Sequence, residues 1–153
     1  MNYGAAQKTV AKAETAVLSS ATHSLEIDTL GFEYASIDLV FSPFTSAAAT
    51  AATAATVIRL AHSDTTGTAA QSNISGFVSG TDFTVAAGAT STSGSATGYV
   101  HRFDVDLRGR RRYLTVYATP VSTVGVITVA RLSKGEAGPM SASDKGVSTQ
   151  AVG

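Results

Sequence analysis

The fold is decided by residues 99–120, which read Tyr99-Val100-His101-Arg102-Phe103-Asp104-Val105-Asp106-Leu107-Arg108-Gly109-Arg110-Arg111-Arg112-Tyr113-Leu114-Thr115-Val116-Tyr117-Ala118-Thr119-Pro120. In the first half Tyr99, His101, Phe103, Val105 and Leu107 alternate with Val100, Arg102, Asp104 and Asp106. In the second half Leu114, Val116 and Ala118 alternate with Tyr113, Thr115 and Tyr117. A period of two sends one set of side chains to a core and the other to water or a partner. The pattern predicts a hairpin of two long strands around the arginine-rich turn. Two registers are open. If Leu107 and Leu114 point inward, Val105 faces Val116 and a four-residue connection, Gly109 to Arg112, fits. If Tyr113 and Tyr117 are the inward set, a three-residue loop fits, and the slip between the two flips a whole face.

The same period extends outward. Leu25, Ile27 and Thr29 alternate with Glu26 and Asp28; Ile37, Leu39 and Phe41 with Ser36, Asp38 and Val40; Ile58, Leu60 and His62 with Arg59 and Ala61. Strands are expected at 15–20, 23–29, 34–42, 56–62, 73–78, 82–86, 97–107 and 112–119, with a further one at 124–132. Turn residues separate them, among them Leu30-Gly31, Ser42-Pro43, Asp64 to Gly67, Ser79 to Asp82 and Thr119-Pro120. Many short strands with frequent turns imply a sandwich or barrel, and the absence of a strand–helix rhythm argues against a parallel α/β sheet. The fold class expected is all-β, an antiparallel β-sandwich of about eight strands spanning residues 15–132.

The flanks are read as free ends. Residues 1–14 carry few large apolar side chains, and either a short helix over Ala5–Ala16 or an extended N-terminal arm suits them. Residues 133–153 are polar and read as a C-terminal tail. Residues 46–56 are Ala and Thr almost throughout, as helix or loop, and 87–98 are Gly, Ser, Thr and Ala, as a flexible loop.

Composition narrows the function. The chain has 153 residues, eleven basic and eleven acidic, and no cysteine, so disulfides and thiolate metal sites are excluded. Only 14% of residues are charged, against about 25% on average. A surface of small uncharged residues is weakly protected by self-repulsion and suits a protein that lives in an assembly. No apolar run is long enough for a membrane span, and Met1-Asn2-Tyr3-Gly4 lacks the pattern of a signal peptide, so use without export is expected.

Arg108, Arg110, Arg111 and Arg112 form a basic cluster. Phosphate or nucleic-acid contact is one reading, but the rest of the chain has no basic stripe. Asp104 and Asp106 offer ion-pair partners, so a structural or subunit-contact role is preferred and no nucleic-acid partner is expected. His101 and Asp104 leave opposite faces of a strand and cannot share a metal. His23 and His62 have no ligand spacing, and Asp64 and Asp82 read as turn residues that satisfy their own backbone. No nucleophile elbow and no strand–loop–helix phosphate motif is present. Neither an enzyme nor a cofactor is expected.

Residues 103–114 resemble a segment of small head proteins of tailed bacteriophages. In those proteins a strand ends in Asp-Leu-Arg-Gly, basic residues follow, and Tyr-Leu opens a second strand ending in Thr-Pro. Here these are Asp106 to Gly109, Arg110 to Arg112, Tyr113-Leu114 and Thr119-Pro120. Val57 to Asp64 is similar to their apolar strand followed by a Ser-Asp turn. The likeness covers about residues 50–120 and departs at Ala61-His62, where those proteins are more polar. It implies a capsid decoration, or cement, protein of the jelly-roll type, frequently trimeric. Such a protein is made in the host cytoplasm, sits on the capsid exterior and clamps neighbouring major capsid subunits. Its expected contacts are the arm with Tyr3, Lys8 and Lys12, the tail after Leu132, and the turn from Arg108 to Arg112. The rival readings are a phage tail, neck or fibre component and a carbohydrate-binding surface module using Tyr3, Tyr113 or Tyr117.

Overall fold

Among the described residues eight strands follow one another and no helix stands between them: β1 (Lys8–Val17), β2 (His23–Asp28), β3 (Tyr34–Phe41), β4 (Ala55–Ser63), β5 (Ser72–Val78), β6 (Tyr99–Asp106), β7 (Tyr113–Pro120) and β8 (Val124–Ser133). They come from a computed structural model that describes residues 7–44, 54–87, 98–135 and 146–148. One four-stranded sheet has the order β1-β8-β3-β6 and the other β2-β7-β4-β5, and every ladder is antiparallel. The pairing is nested: β1 meets β8, β2 meets β7, β3 meets β6 and β4 meets β5. The β3–β8 and β4–β7 ladders then join these pairs into sheets.

Alternation builds the core. From the first sheet Ile37, Leu39, Phe41, Phe103, Val105, Val126 and Leu132 point inward, and all are buried. From the second, Leu25, Ile27, Ile58, Leu60, Ile74, Leu114 and Val116 meet them. Each such side chain contributes roughly 1.5–3 kcal/mol when fully withdrawn from water. Strand β7 is buried on both faces, because Thr115 and Tyr117 on its outer side are also covered.

The structure corrects several expectations. Strands β6 and β7 do not form a hairpin: β6 edges the first sheet, and β7 lies between β2 and β4 in the second. Alternation tells which face of a strand is buried but not which sheet the strand joins, and two strands facing each other across a core alternate just as a hairpin does. Residues 107–112 cross the gap between sheets, which is about 10 Å. Leu107 turns inward and its N–H donates to the Glu33 carbonyl at 2.9 Å, while Arg110 N–H donates to the Leu107 carbonyl at 3.0 Å. Gly109 takes the tight corner at φ 78°. Leu114 is inward, and Tyr113 and Tyr117 face out.

The arm boundary moves as well. Residues 8–14, expected in a free arm, form most of β1 and pair with β8 from Lys8↔Leu132 to Glu14↔Val126. The strand expected at 15–20 ends at Val17. No strand forms at 82–86. Asp82 closes a turn there, its Oδ2 accepting from Gly76 and Val78 N–H at 2.9 Å each, and Phe83 makes only an isolated bridge to Ser79. The low-complexity stretches 46–56 and 87–98 lie largely outside the described residues, as do Tyr3 and most of the tail. Within the tail Gly146, at φ 70°, lies so close to β1 that a Cβ there would collide with the Thr9 carbonyl.

Candidate functional site: the outer faces and the arginine turn

The two sheets treat their outer faces differently. On the second sheet the β4–β5 loop, residues 64–71, folds back over the outer side. Gln71 Nε2 donates to Thr115 Oγ1 at 2.8 Å and to the Gly67 carbonyl at 3.0 Å, and the Tyr117 hydroxyl donates to Gln71 Oε1. Gly67 N–H donates to Glu26 at 2.8 Å, and the Arg59 guanidinium lies 4.0 Å over the Tyr117 ring. Thr115, Tyr117, Ala61 and Ser63 are buried as a result. Tyr117, a candidate for sugar stacking, is thus already covered.

The first sheet has no such lid among the described residues. The registers align Val100 of β6, Val40 of β3, Ile127 of β8 and Ala13 of β1 in one row across all four strands. Val100 is 56% exposed and Ile127 41%, which makes them two of the few large apolar side chains left in solvent. The next row holds Arg102, Asp38, Val129 and Ala11. Asp38 is nearly covered by two arginines: Arg102 Nε reaches its Oδ1 at 2.6 Å and Arg131 its Oδ2 at 2.8 Å. Arg102 above all, with Arg131 behind it, holds the Asp38 carboxyl below the usual range. The apolar row therefore ends at a clamped ion triad.

The arginine turn sits at one pole of the sandwich. Arg108 binds Asp106 through Nε at 3.0 Å and Nη2 at 2.6 Å, and holds that carboxyl down at about 2. Arg112 binds Asp28 through Nε at 2.9 Å and Nη2 at 2.7 Å, its guanidinium 4.9 Å over the Tyr113 ring, and it lowers the Asp28 carboxyl. Arg111 is 3.6 Å from Asp64 and its N–H donates to His62 Nδ1 at 3.3 Å. Burial first, then Arg111 and Arg110, push the His62 pKa down. Arg110 is exposed and makes no ion pair within the described residues. Lys8 stands close enough to Asp28, and Lys134 to Asp106, to stabilise their charged forms, so both strand ends belong to this pole.

Of the residues singled out in the sequence, the structure brings the four arginines and Lys8 to one pole. Lys12 is elsewhere and is engaged internally: its Nζ donates to the Ser24 carbonyl at 2.9 Å and pairs with Glu14 at 2.7 Å, tying β1 to β2. It is a strut between sheets, not part of a reaching arm. The row of Val100, Val40 and Ile127 was not singled out. Its signal was present, because each is an apolar residue at the outward parity of its strand. His101 and Asp104 do leave opposite faces, and among the described residues no three His, Asp or Glu side chains converge on a metal-sized space. No protein-family model and no curated protein matches this chain.

Proposed function

We propose that this chain is a structural protein of a phage virion, a decoration protein that binds the outside of the head and bridges major capsid subunits. The observation that carries this reading is the contrast between the outer faces. One is closed by its own loop, and the other keeps an apolar row across four strands, bounded by an ion triad. A contiguous apolar stripe with a polar rim marks a surface meant for another protein. The nested strand order supports the reading, since a jelly roll wraps its strands in nested pairs and viral capsid domains share that architecture with lectins and cupins. Architecture alone does not choose among those functions; the resemblance over about residues 50–120 supplies the phage context. The arginine turn favours directed protein contacts over phosphate binding, because Arg108 and Arg112 must first leave the carboxylates they hold. The mechanism is adhesive: each copy contributes a modest contact, and many copies on one shell multiply it.

The test is co-sedimentation of the purified protein with heads assembled from the major capsid protein of the same phage. The wild type is expected to bind. Val100→Asp and Ile127→Asp should each lower occupancy about tenfold or more, as loss of a central contact does, with an unchanged circular-dichroism spectrum. Absence of binding to heads would sink the reading, and gold label at the neck or tail of the virion would move the protein there.

A further inference from the structure

A sandwich of this kind exposes four sheet edges, and unpaired edges are templates for another strand. Three of them carry a blocking device. On β1 the ladder is broken by a bulge between Glu14 and Val17, and Gly146 lies against Thr9. On β2 the Lys12 ammonium caps the Ser24 carbonyl. On β5 the Asp82 carboxylate takes the Gly76 and Val78 N–H groups, with Gly76 at φ 92°. Strand β6 has none. It runs unbroken from Tyr99 to Asp106 against β3, without proline or bulge, and among the described residues nothing binds its outer backbone.

We propose that β6 pairs with β6 of a second copy of this chain across a two-fold axis at Phe103. The hydrogen-bonding phase comes first. Leu107 N–H donates to Glu33, so Leu107 and the odd residues before it turn their backbone groups to β3. Val100, Arg102, Asp104 and Asp106 therefore turn theirs to the open edge, since bonding alternates along an antiparallel strand. Only registers that set even residues against even residues can bond. Among those, the axis at Phe103 sets Arg102 opposite Asp104 of the second copy, and Asp104 opposite its Arg102. The symmetry makes both pairs at once. A slip of two residues one way sets Arg102 against Arg102, and the other way Asp104 against Asp104. Like charges directly opposite are destabilising and opposite charges stabilising, and of these three registers only the one centred on Phe103 pairs opposite charges without setting any like charges together. Arg102 uses Nε for Asp38 and keeps its other nitrogens for the partner. Asp104 is exposed and lies near the Tyr34 hydroxyl of its own chain. Phe77 and Phe83, half-buried against Phe103 and His101, add apolar surface beside the seam. The assembly is a dimer, not the trimer that the phage resemblance implies, and it stands independently of head binding.

Sedimentation equilibrium tests it on the full chain. The wild type is expected to be a dimer. Asp104→Arg alone and Arg102→Glu alone each put like charges in both pairs and should raise the dimer Kd about tenfold or more. Mixed together, these two variants recover both opposite-charge pairs, and the mixture should dimerise like the wild type. A monomeric or trimeric wild type overturns the proposal, as does a mixture that stays monomeric while both variants keep a native circular-dichroism spectrum. If Arg102→Glu unfolds through loss of its bond to Asp38, Asp104→Arg decides alone, and an unchanged Kd overturns the proposal.

Discussion

His23 and His101 both point into the sandwich, and their surroundings differ. His23 is fully buried, with Nδ1 2.9 Å from Glu14 Oε2 and Nε2 2.8 Å from Thr128 Oγ1, so it bridges the two sheets with both nitrogens satisfied. His101 is stacked on Phe83 at 4.8 Å, and its buried Nε2 has no hydrogen-bond partner among the described residues. Burial pushes the His101 pKa below its ordinary value of 6.5. Below that value the unfolded chain binds a proton that the folded chain resists. The contribution of His101 is therefore complete above the unfolded pKa and is lost as pH falls toward the folded one. His101→Phe should raise stability by about 1 kcal/mol, by removing an unmet polar atom, and flatten the dependence on pH. Urea midpoints at about pH 5.5 and about pH 8 check this; an unchanged difference between them clears His101. In the sequence His23 lacks ligand spacing and His101 leaves the opposite strand face from Asp104, so neither reads as a metal ligand. The sequence does not reveal the His23 bridge, because Thr128 comes alongside only when β8 returns to β1.

At the scale of elements, the loop over residues 64–71 and the strand β1 do the least conspicuous work. The loop is latched by Gln71 to Thr115 and Tyr117. Gln71→Ala should cost about 1–2 kcal/mol and speed proteolytic cutting within the loop, since its closure is a local equilibrium; an unchanged cutting rate would remove Gln71 as the latch. Strand β1 is held by its ladder and by the Lys12, Glu14 and His23 contacts more than by apolar burial. Deleting residues 1–7 should leave the melting temperature unchanged. Deleting residues 1–17 uncovers His23 and Thr128 and should lower it sharply or abolish folding, as followed by circular dichroism. Equal melting of the two truncations would show that β1 is dispensable. In the sequence β1 was hidden because the side chains it turns to the seam include Lys8, Lys12 and Glu14. A polar seam has no hydrophobic period to read.

Over the whole molecule, alternation is enough to find the all-β class and the inward residues of β2, β3, β4 and β6, while for β7 it leaves open whether Leu114 or the pair Tyr113 and Tyr117 points inward. It is not enough to pair the strands. Leu107 and Leu114 both lie on buried faces, yet they belong to opposite sheets, and only the nested order assigns each strand. The ion-pair reading of the arginine turn was legible, since Asp106 stands two residues from Arg108, whereas the Asp28 that binds Arg112 comes from a strand far away in sequence. The apolar row was overlooked because Val40 and Val100 sat where polar residues were expected. The nesting has a further consequence. Lys8 lies across from Leu132, so the strands at both ends of the wrapped region begin and finish side by side at the arginine pole. A short covalent bridge there would turn β8 and β1 into a hairpin, and new termini could be opened in the exposed 64–71 segment. The sandwich is thus suited to circular permutation.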